Sequence, residues 1–256
     1  MKEAIPTLLA VAALALTGCT AEDRETAKDA WNQGKEAWSQ ISEAATAPTA
    51  QASGSANIGG DGYPLPHVDT PVTNPSEALA VLQSIPVAEE SSKERYDREA
   101  QFGAAWIDVG KNGCKTRDDI LARDLTDVKT NGKDCTVVSG VLNDPYSGET
   151  IEFKKSMAIA VQIDHIIPLK QAWVSGAENW SQEARIAFAN DPGNLIAVKG
   201  RENTSKSDKD IARWVPTNTD YLCQYATDQV RVKNQWGLTM DANEYRAAEG
   251  YLKGCV

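Results

Sequence analysis

Asp164 and His165 stand side by side at the end of an apolar run, Ala158-Ile-Ala-Val-Gln-Ile163, and Pro168 follows three residues later. A carboxylate beside an imidazole can divide two tasks, one binding a metal ion while the other handles a proton. Adjacent side chains on a strand face opposite sides, so both reach one site only where the strand breaks, and Pro168 supplies such a break. Taken alone, the pair also suits a solvated strand end. Downstream, Asp191-Pro-Gly-Asn194 is turn chemistry feeding a short strand, Leu195-Ile-Ala-Val. Behind it runs Lys199-Gly-Arg-Glu-Asn203-Thr-Ser-Lys206-Ser-Asp208-Lys209-Asp210. Lys206 lies one helical turn after Asn203, so both can share a face, Lys206 meeting a phosphate oxygen or standing solvated on a polar helix. Lys199, Arg201, Lys206, Lys209 and Arg213 outnumber the acids between them, which suits phosphate contacts or a plain solvated helix. Asp208 and Asp210 suit a second ion or a helix cap.

These residues need elements to hold them, and the pattern around them changes period. Helical spacing runs over Pro75–Ile85 and Lys93–Val109, the latter with Tyr96, Phe102 and Trp106 as buried candidates. Thr116 followed by Asp119 suggests a capping box for a helix ending near Leu125. Strands are expected at Cys135–Leu142, Thr150–Phe153 and Ala158–Ile163, with Asn143-Asp-Pro-Tyr-Ser-Gly as the first turn. Helices return at Leu169–Val174, Ser181–Ala189, Tyr221–Trp236 and Ala242–Leu252. A strand hairpin enclosed by helices reads as α+β.

The chain has 256 residues, 41% of them hydrophobic, with 26 Lys plus Arg against 36 Asp plus Glu. That composition excludes a polytopic membrane protein and a wholly disordered chain. A formal charge of -10 also excludes nucleic-acid binding by bulk electrostatics, so any such activity rests on a local site. Met1–Thr20 carries one Lys, a short apolar run and Leu16-Thr17-Gly18-Cys19, the form of an export signal. Leu-Thr-Gly-Cys resembles the bacterial lipobox, which implies cleavage before Cys19 and lipidation of its thiol. Residues 19–75 then read as a lipid-anchored helix, with Trp31 and Trp38 on its apolar stripe, followed by a flexible Ala-, Ser-, Gly- and Pro-rich tether holding His67.

Four cysteines remain, an even number in an oxidising compartment, and they allow three connectivities. Closeness in sequence favours Cys114 with Cys135 and Cys223 with Cys255. Zinc is disfavoured because no C-x-x-C occurs and the spacings are wide.

The order D-H-x-x-P, then N-L, then N-x-x-K closely resembles the HNH endonuclease family, with Asn203 where the family often has His. Tyr96-Asp-Arg-Glu-Ala-Gln-Phe-Gly-Ala-Ala-Trp106, Cys114–Leu125, Asp144-Pro-Tyr-Ser-Gly148, Gln162–Leu169 and Phe188–Leu195 look like the exported HNH family common in actinobacteria. That family is related to the C-terminal domain of GmrSD-type restriction enzymes, and the likeness covers about Tyr96 to Cys255. It implies a ββα-metal core of two strands and a helix, set among further helices in a domain spanning 76–256.

Carried over position by position, the resemblance makes His165 the general base and Asp164 and Asn203 the ligands of one divalent cation. Oxygen ligands with water and phosphate completing the shell suit Mg²⁺ ahead of Mn²⁺. Asn194 would hold the loop that orients His165, and Lys206 would contact phosphate. The implied activity is phosphodiester hydrolysis of nucleic acid, DNA ahead of RNA, by an envelope lipoprotein. The rival is a catalytically silent lipoprotein that binds nucleic acid or protein at the surface.

Overall fold

The computed structural model describes residues 72–92, 94–108 and 111–256. The signal segment with Cys19, the residue 21–44 helix and the tether expected from the sequence lie outside them. Helix α1 (Pro75–Leu82) starts where Asn74 accepts a hydrogen bond from the Glu77 backbone and Pro75 takes the first helical position. It buries Ala78 and Leu82 against α7 (Leu222–Gln235) and α8 (Ala242–Lys253), where Tyr225, Val230, Ala248 and Leu252 complete a core.

Helix α2 is five residues long, Arg98–Phe102, where the spacing predicts one over Lys93–Val109. Gly103 at φ 69° turns the chain out of the helix, and Trp106 at φ 64° keeps it out. Phe102 is buried as expected, whereas Tyr96 and Trp106 are half-buried. Helix α3 (Thr116–Asp124) lacks the expected capping box: Lys115 is the cap residue, and the Thr116 hydroxyl donates to the Ile107 carbonyl instead.

Strands β1 (Thr126–Thr130), β2 (Val137–Asn143) and β3 (Thr150–Lys154) form one antiparallel sheet in that order. β1 reads Thr-Asp-Val-Lys-Thr and is largely exposed, so it carries no apolar alternation by which to be recognised. The next strand, β4 (Val161–His165), begins later than expected because Lys155–Ala160 form 3₁₀ turns.

Among the described residues β4 pairs only with β5 (Leu195–Lys199), antiparallel, and α6 (Gly200–Lys206) follows directly. Facing pairs set the two faces of this hairpin. Val161, Ile163, Leu195 and Ala197 pack on Ile120, Leu121, Leu142 and Phe153, while Val198 joins the α1–α7–α8 core. Both faces are covered, which explains a nearly continuous apolar run rather than alternation. α4 (Leu169–Val174) and α5 (Gln182–Ala189) enclose a third core with Phe102, Trp173, Trp180, Phe188 and Trp236. The Phe188 and Trp236 rings meet edge to face at 5.2 Å. The α+β class holds, as two small antiparallel sheets among helices. Both expected disulfides form, Cys114–Cys135 and Cys223–Cys255. Among the described residues no helix is long and apolar enough to cross a membrane.

Candidate active site

Asp164 and His165 both lie inside β4, and the register sends them to opposite faces: Asp164 is opposite Ile196, His165 opposite Leu195. The expectation that Pro168 brings both side chains to one side by breaking the strand is therefore wrong. They share a site for another reason. β4 has β5 on one side and, among the described residues, no strand on the other. Gln162, Asp164 and His165 border one cavity of about 450 Å³, whose other walls include Asn203 of α6, Lys170 of α4 and Arg98 of α2.

The peptide groups after His165 are held by Asn194, which is fully buried. Its side-chain oxygen accepts from Ile167 N at 2.8 Å, its amide donates to Ile167 O at 3.3 Å, and its own carbonyl accepts from Ile166 N at 2.8 Å. Gln229 of α7 donates to Ile166 O at 2.6 Å. The Asn194 turn is fixed in turn by Trp236, which donates to Asp191, and by Arg231 and Arg123, which donate to Gly193 O and Pro192 O. The Ile166 and Ile167 N–H and C=O groups thus all have partners, as burial demands, while Gln229 Oε1 is left without one.

The His165 imidazole sits 2.8 Å from the Ala189 carbonyl through Nε2. A carbonyl only accepts, so Nε2 carries the proton and Nδ1 keeps the lone pair. The ring lies 6.2 Å from the Trp106 ring at an interplanar angle of 18°. Burial pushes its pKa down to about 3, with the charges of Arg98 and Lys206 acting in the same direction and the Ala189 bond opposing. His165 is neutral near pH 7, an available acceptor.

On the other face the Asp164 carboxylate accepts from the Tyr146 hydroxyl at 2.7 Å and from Lys206 Nζ at 2.9 and 3.1 Å. Lys206 also donates to His165 O at 2.7 Å and is 0% exposed. This corrects the expectation that Lys206 meets phosphate: its ammonium is turned inward, bonded to the Asp164 carboxylate and the His165 carbonyl. Burial raises the Asp164 pKa and lowers that of Lys206, each charge opposing the shift of the other. The Tyr146 hydroxyl is pushed well up by burial and by the Asp164 charge, so it remains a donor.

Asn203 does face the cavity, and its amide donates to Gln162 Oε1 at 2.9 Å. α6 can lie this close because it begins at Gly200, where a Cβ would come 2.0 Å from the Ile159 carbonyl oxygen. The anticipated basic stretch is mostly spent internally. Lys199 pairs with Glu149, Lys206 with Asp164, and Arg213 with Asp210 and Glu90, while Lys209 donates to Ser205 O. Asp210 accepts from the Ala212 and Arg213 backbones and so caps a turn, and Asp208 pairs with Lys170 at 2.8 Å.

Gln162, Tyr146, Trp106 and Arg98 belong to the site and were not singled out as site residues in the sequence. Gln162 had a signal, being a polar residue two positions before Asp164 and hence on its face. Tyr146 sits in a turn, where nothing local announces complete burial.

Residues 115–247 match the family described as GmrSD restriction endonucleases, C-terminal domain. A relative from Arthroderma benhamiae, named only as an uncharacterized secreted protein, is 35% identical over 192 residues, 73% of this chain and 90% of its own length. No solved structure matches.

Proposed function

Because the chain belongs to the GmrSD restriction endonuclease C-terminal domain family, and its function is accordingly nuclease-related, we propose that it is a metal-dependent HNH-type endonuclease hydrolysing phosphodiester bonds, in DNA ahead of RNA. The observation that carries this reading is a neutral His165 with Nε2–H tied to Ala189 O, beside Asp164 and Asn203 at one cavity. β4, β5 and α6 serve as the ββα core. Nδ1 accepts the proton of a water poised for attack on phosphorus, and Ala189 O holds the ring for that transfer. The negative phosphate and the imidazolium then stabilise one another, which offsets the burial that keeps the free imidazole neutral. Asn194 keeps the strand end rigid and so keeps Nδ1 in place.

The donor set fits a hard divalent cation. A carboxylate has about four acceptor sites, Tyr146 and Lys206 use three at Asp164, and the Asn203 side-chain oxygen has no partner among the described residues. Asp164 and Asn203 would hold the ion, Mg²⁺ ahead of Mn²⁺, with water and phosphate completing its shell. When bound it supplies charge stabilisation to the phosphate and the leaving oxygen. Lys206 keeps the Asp164 carboxylate oriented before the ion arrives.

We also place the protein at the cell envelope, exported and lipidated at Cys19. Two closed disulfides suit an oxidising compartment, and the Arthroderma relative is named as secreted. Replacing Cys19→Ser is expected to release the protein from the membrane fraction; unchanged fractionation and mass overturn the anchor.

The Asp164–Lys206 pair favours a second reading, a silent binding module, since it already neutralises the proposed ligand. Plasmid nicking separates the two. The full-length protein is expected to nick with Mg²⁺ or Mn²⁺ and to stop with chelator, and His165→Ala to lose about 10²–10⁴ in rate with its melting temperature retained. Wild-type nicking by His165→Ala removes the mechanism and leaves the binding module.

A further inference from the structure

If Lys206 is turned inward, something else must meet the anionic substrate at the cavity. Of the cations lining it, Lys170 is paired with Asp208. Arg98 is exposed and has no ion pair among the described residues. Neither flanking acid, Asp97 or Glu99, is ion-paired with it among the described residues, and Asp97 instead caps α2, its carboxylate accepting from Ala100 N at 2.8 Å. Arg98 also borders the small recess between Trp106 and His165, and its charge depresses the His165 pKa. It therefore stands at the base as well as at the cavity.

The helix carrying Arg98 is firmly seated despite its length. Phe102 is buried, with its ring centre 6.2 Å from that of Tyr96 and 6.4 Å from that of Phe188. Gln182 donates to Ala100 O at 2.9 Å and Arg185 to Gln101 O at 3.0 Å, tying α2 to α5. A guanidinium presents a planar fork matched to two phosphate oxygens and remains charged at any working pH. In a chain with net charge -10, one uncommitted fork on a fixed helix beside the base is a local answer to a global repulsion.

We propose that Arg98 binds the nonbridging oxygens of the substrate phosphodiester in this cavity, the role that spacing alone had suggested for Lys206. This rests on the nuclease reading, and it adds a residue from outside the stretch matched by the family, 115–247.

The experiment uses full-length wild type, Arg98→Ala, Arg98→Lys and, as a control, Arg95→Ala. Arg95 is 84% exposed, 4.0 Å from Glu178, and is not part of the cavity wall. Binding of a fluorescein-labelled DNA oligonucleotide is followed in Ca²⁺ across a salt series, and cleavage is followed in Mg²⁺ and Mn²⁺. Arg98→Ala is expected to cleave at least ~30-fold more slowly, at wild-type melting temperature, and to flatten the slope of log K against log salt by about 0.7–0.9, one phosphate contact. Arg98→Lys recovers the slope but only part of the rate, and Arg95→Ala stays within about twofold. A purely structural Arg98 would leave the salt slope unchanged. Arg98→Ala that cleaves within twofold of wild type with the wild-type slope overturns the proposal and leaves the nuclease reading intact. Wild type that binds without cleaving in any metal removes the nuclease reading, and the slope still decides Arg98. Wild type that neither binds nor cleaves overturns both.

Discussion

Among the described residues two lysine–carboxylate pairs are buried, and they sit in different surroundings. Lys233 of α7 meets Glu244 of α8 at 2.7 Å, and its ammonium also donates to Thr239 O and Ser175 Oγ. Both residues are 0% exposed and border none of the cavities described above. Glu244 Oε1 is left with no partner, and burial raises the carboxyl's pKa. Lys206 and Asp164 make the same bond at 2.9 Å, yet Tyr146 also serves the carboxylate, which borders the cavity. The first pair latches two helices. The second holds a carboxylate at the wall of a cavity. Buried charge alone therefore does not mark a site; the opening beside it does.

Breaking either pair on one side tests that distinction with the largest effect. Lys233→Met and Lys206→Met should each lower stability by about 3–5 kcal/mol in urea unfolding, because an uncompensated charge stays buried. The matched doubles should diverge. Lys233→Met with Glu244→Leu is expected to regain most of the stability and all of the cleavage. Lys206→Met with Asp164→Asn should regain stability and remain inactive. Equal behaviour of the two doubles would erase the comparison.

The disulfide Cys223–Cys255 joins α7 to the second residue beyond α8, across the same helix pair as Lys233 and Glu244. Removing it as Cys223→Ser with Cys255→Ser should cost roughly 3–4 kcal/mol for a loop of this length. Cleavage measured well below the new midpoint should not change, since neither cysteine lines the cavity.

Asn194→Ala attacks the other region without touching a charge. It strands the buried Ile167 N–H, at a cost of about 1–3 kcal/mol. The cleavage rate should fall by more than Tm loss explains, because Nδ1 of His165 is no longer fixed; a loss of stability alone would make Asn194 merely structural.

The smallest effect over any one pH unit is a pH slope. The folded pKa of His165, about 3, lies below its ordinary value of 6.5. Between those values the unfolded chain takes up a proton that the folded chain refuses. The stability tied to neutral His165 is thus complete above about pH 6.5 and is lost as pH falls toward 3. His165→Asn, which keeps a donor for Ala189 O, should lose less stability on acidification than wild type, by up to ~1.4 kcal/mol per pH unit. Parallel curves would show that burial of this imidazole is not what the acid limb reports.

Much of this architecture was readable as sequence because its causes are local. The Asn74-Pro75 start of α1, the Asp191-Pro-Gly-Asn turn and the apolar run of β4 are set by neighbours within a few residues. The adjacency of Asp164 and His165, the spacing to Asn194 and Asn203, and the short separations of the paired cysteines are likewise properties of the chain itself. What stayed illegible depends on what packs from afar. β1 carries a single apolar residue, the half-buried Val128, and owes its state to pairing with β2. The Lys93–Val109 periodicity gave way to a bend at Gly103, where Ile186 of α5 packs so closely that a Cβ would meet it at 2.9 Å. Helical spacing placed Lys206 near Asn203 but could not say that β4 and Tyr146 would close over it. A side chain's period is written in the chain, whereas its dielectric surroundings are supplied by remote elements. Only the tertiary structure turned Lys206 inward, committed Asp164 to it, and left Arg98 beside His165 without an ion pair among the described residues.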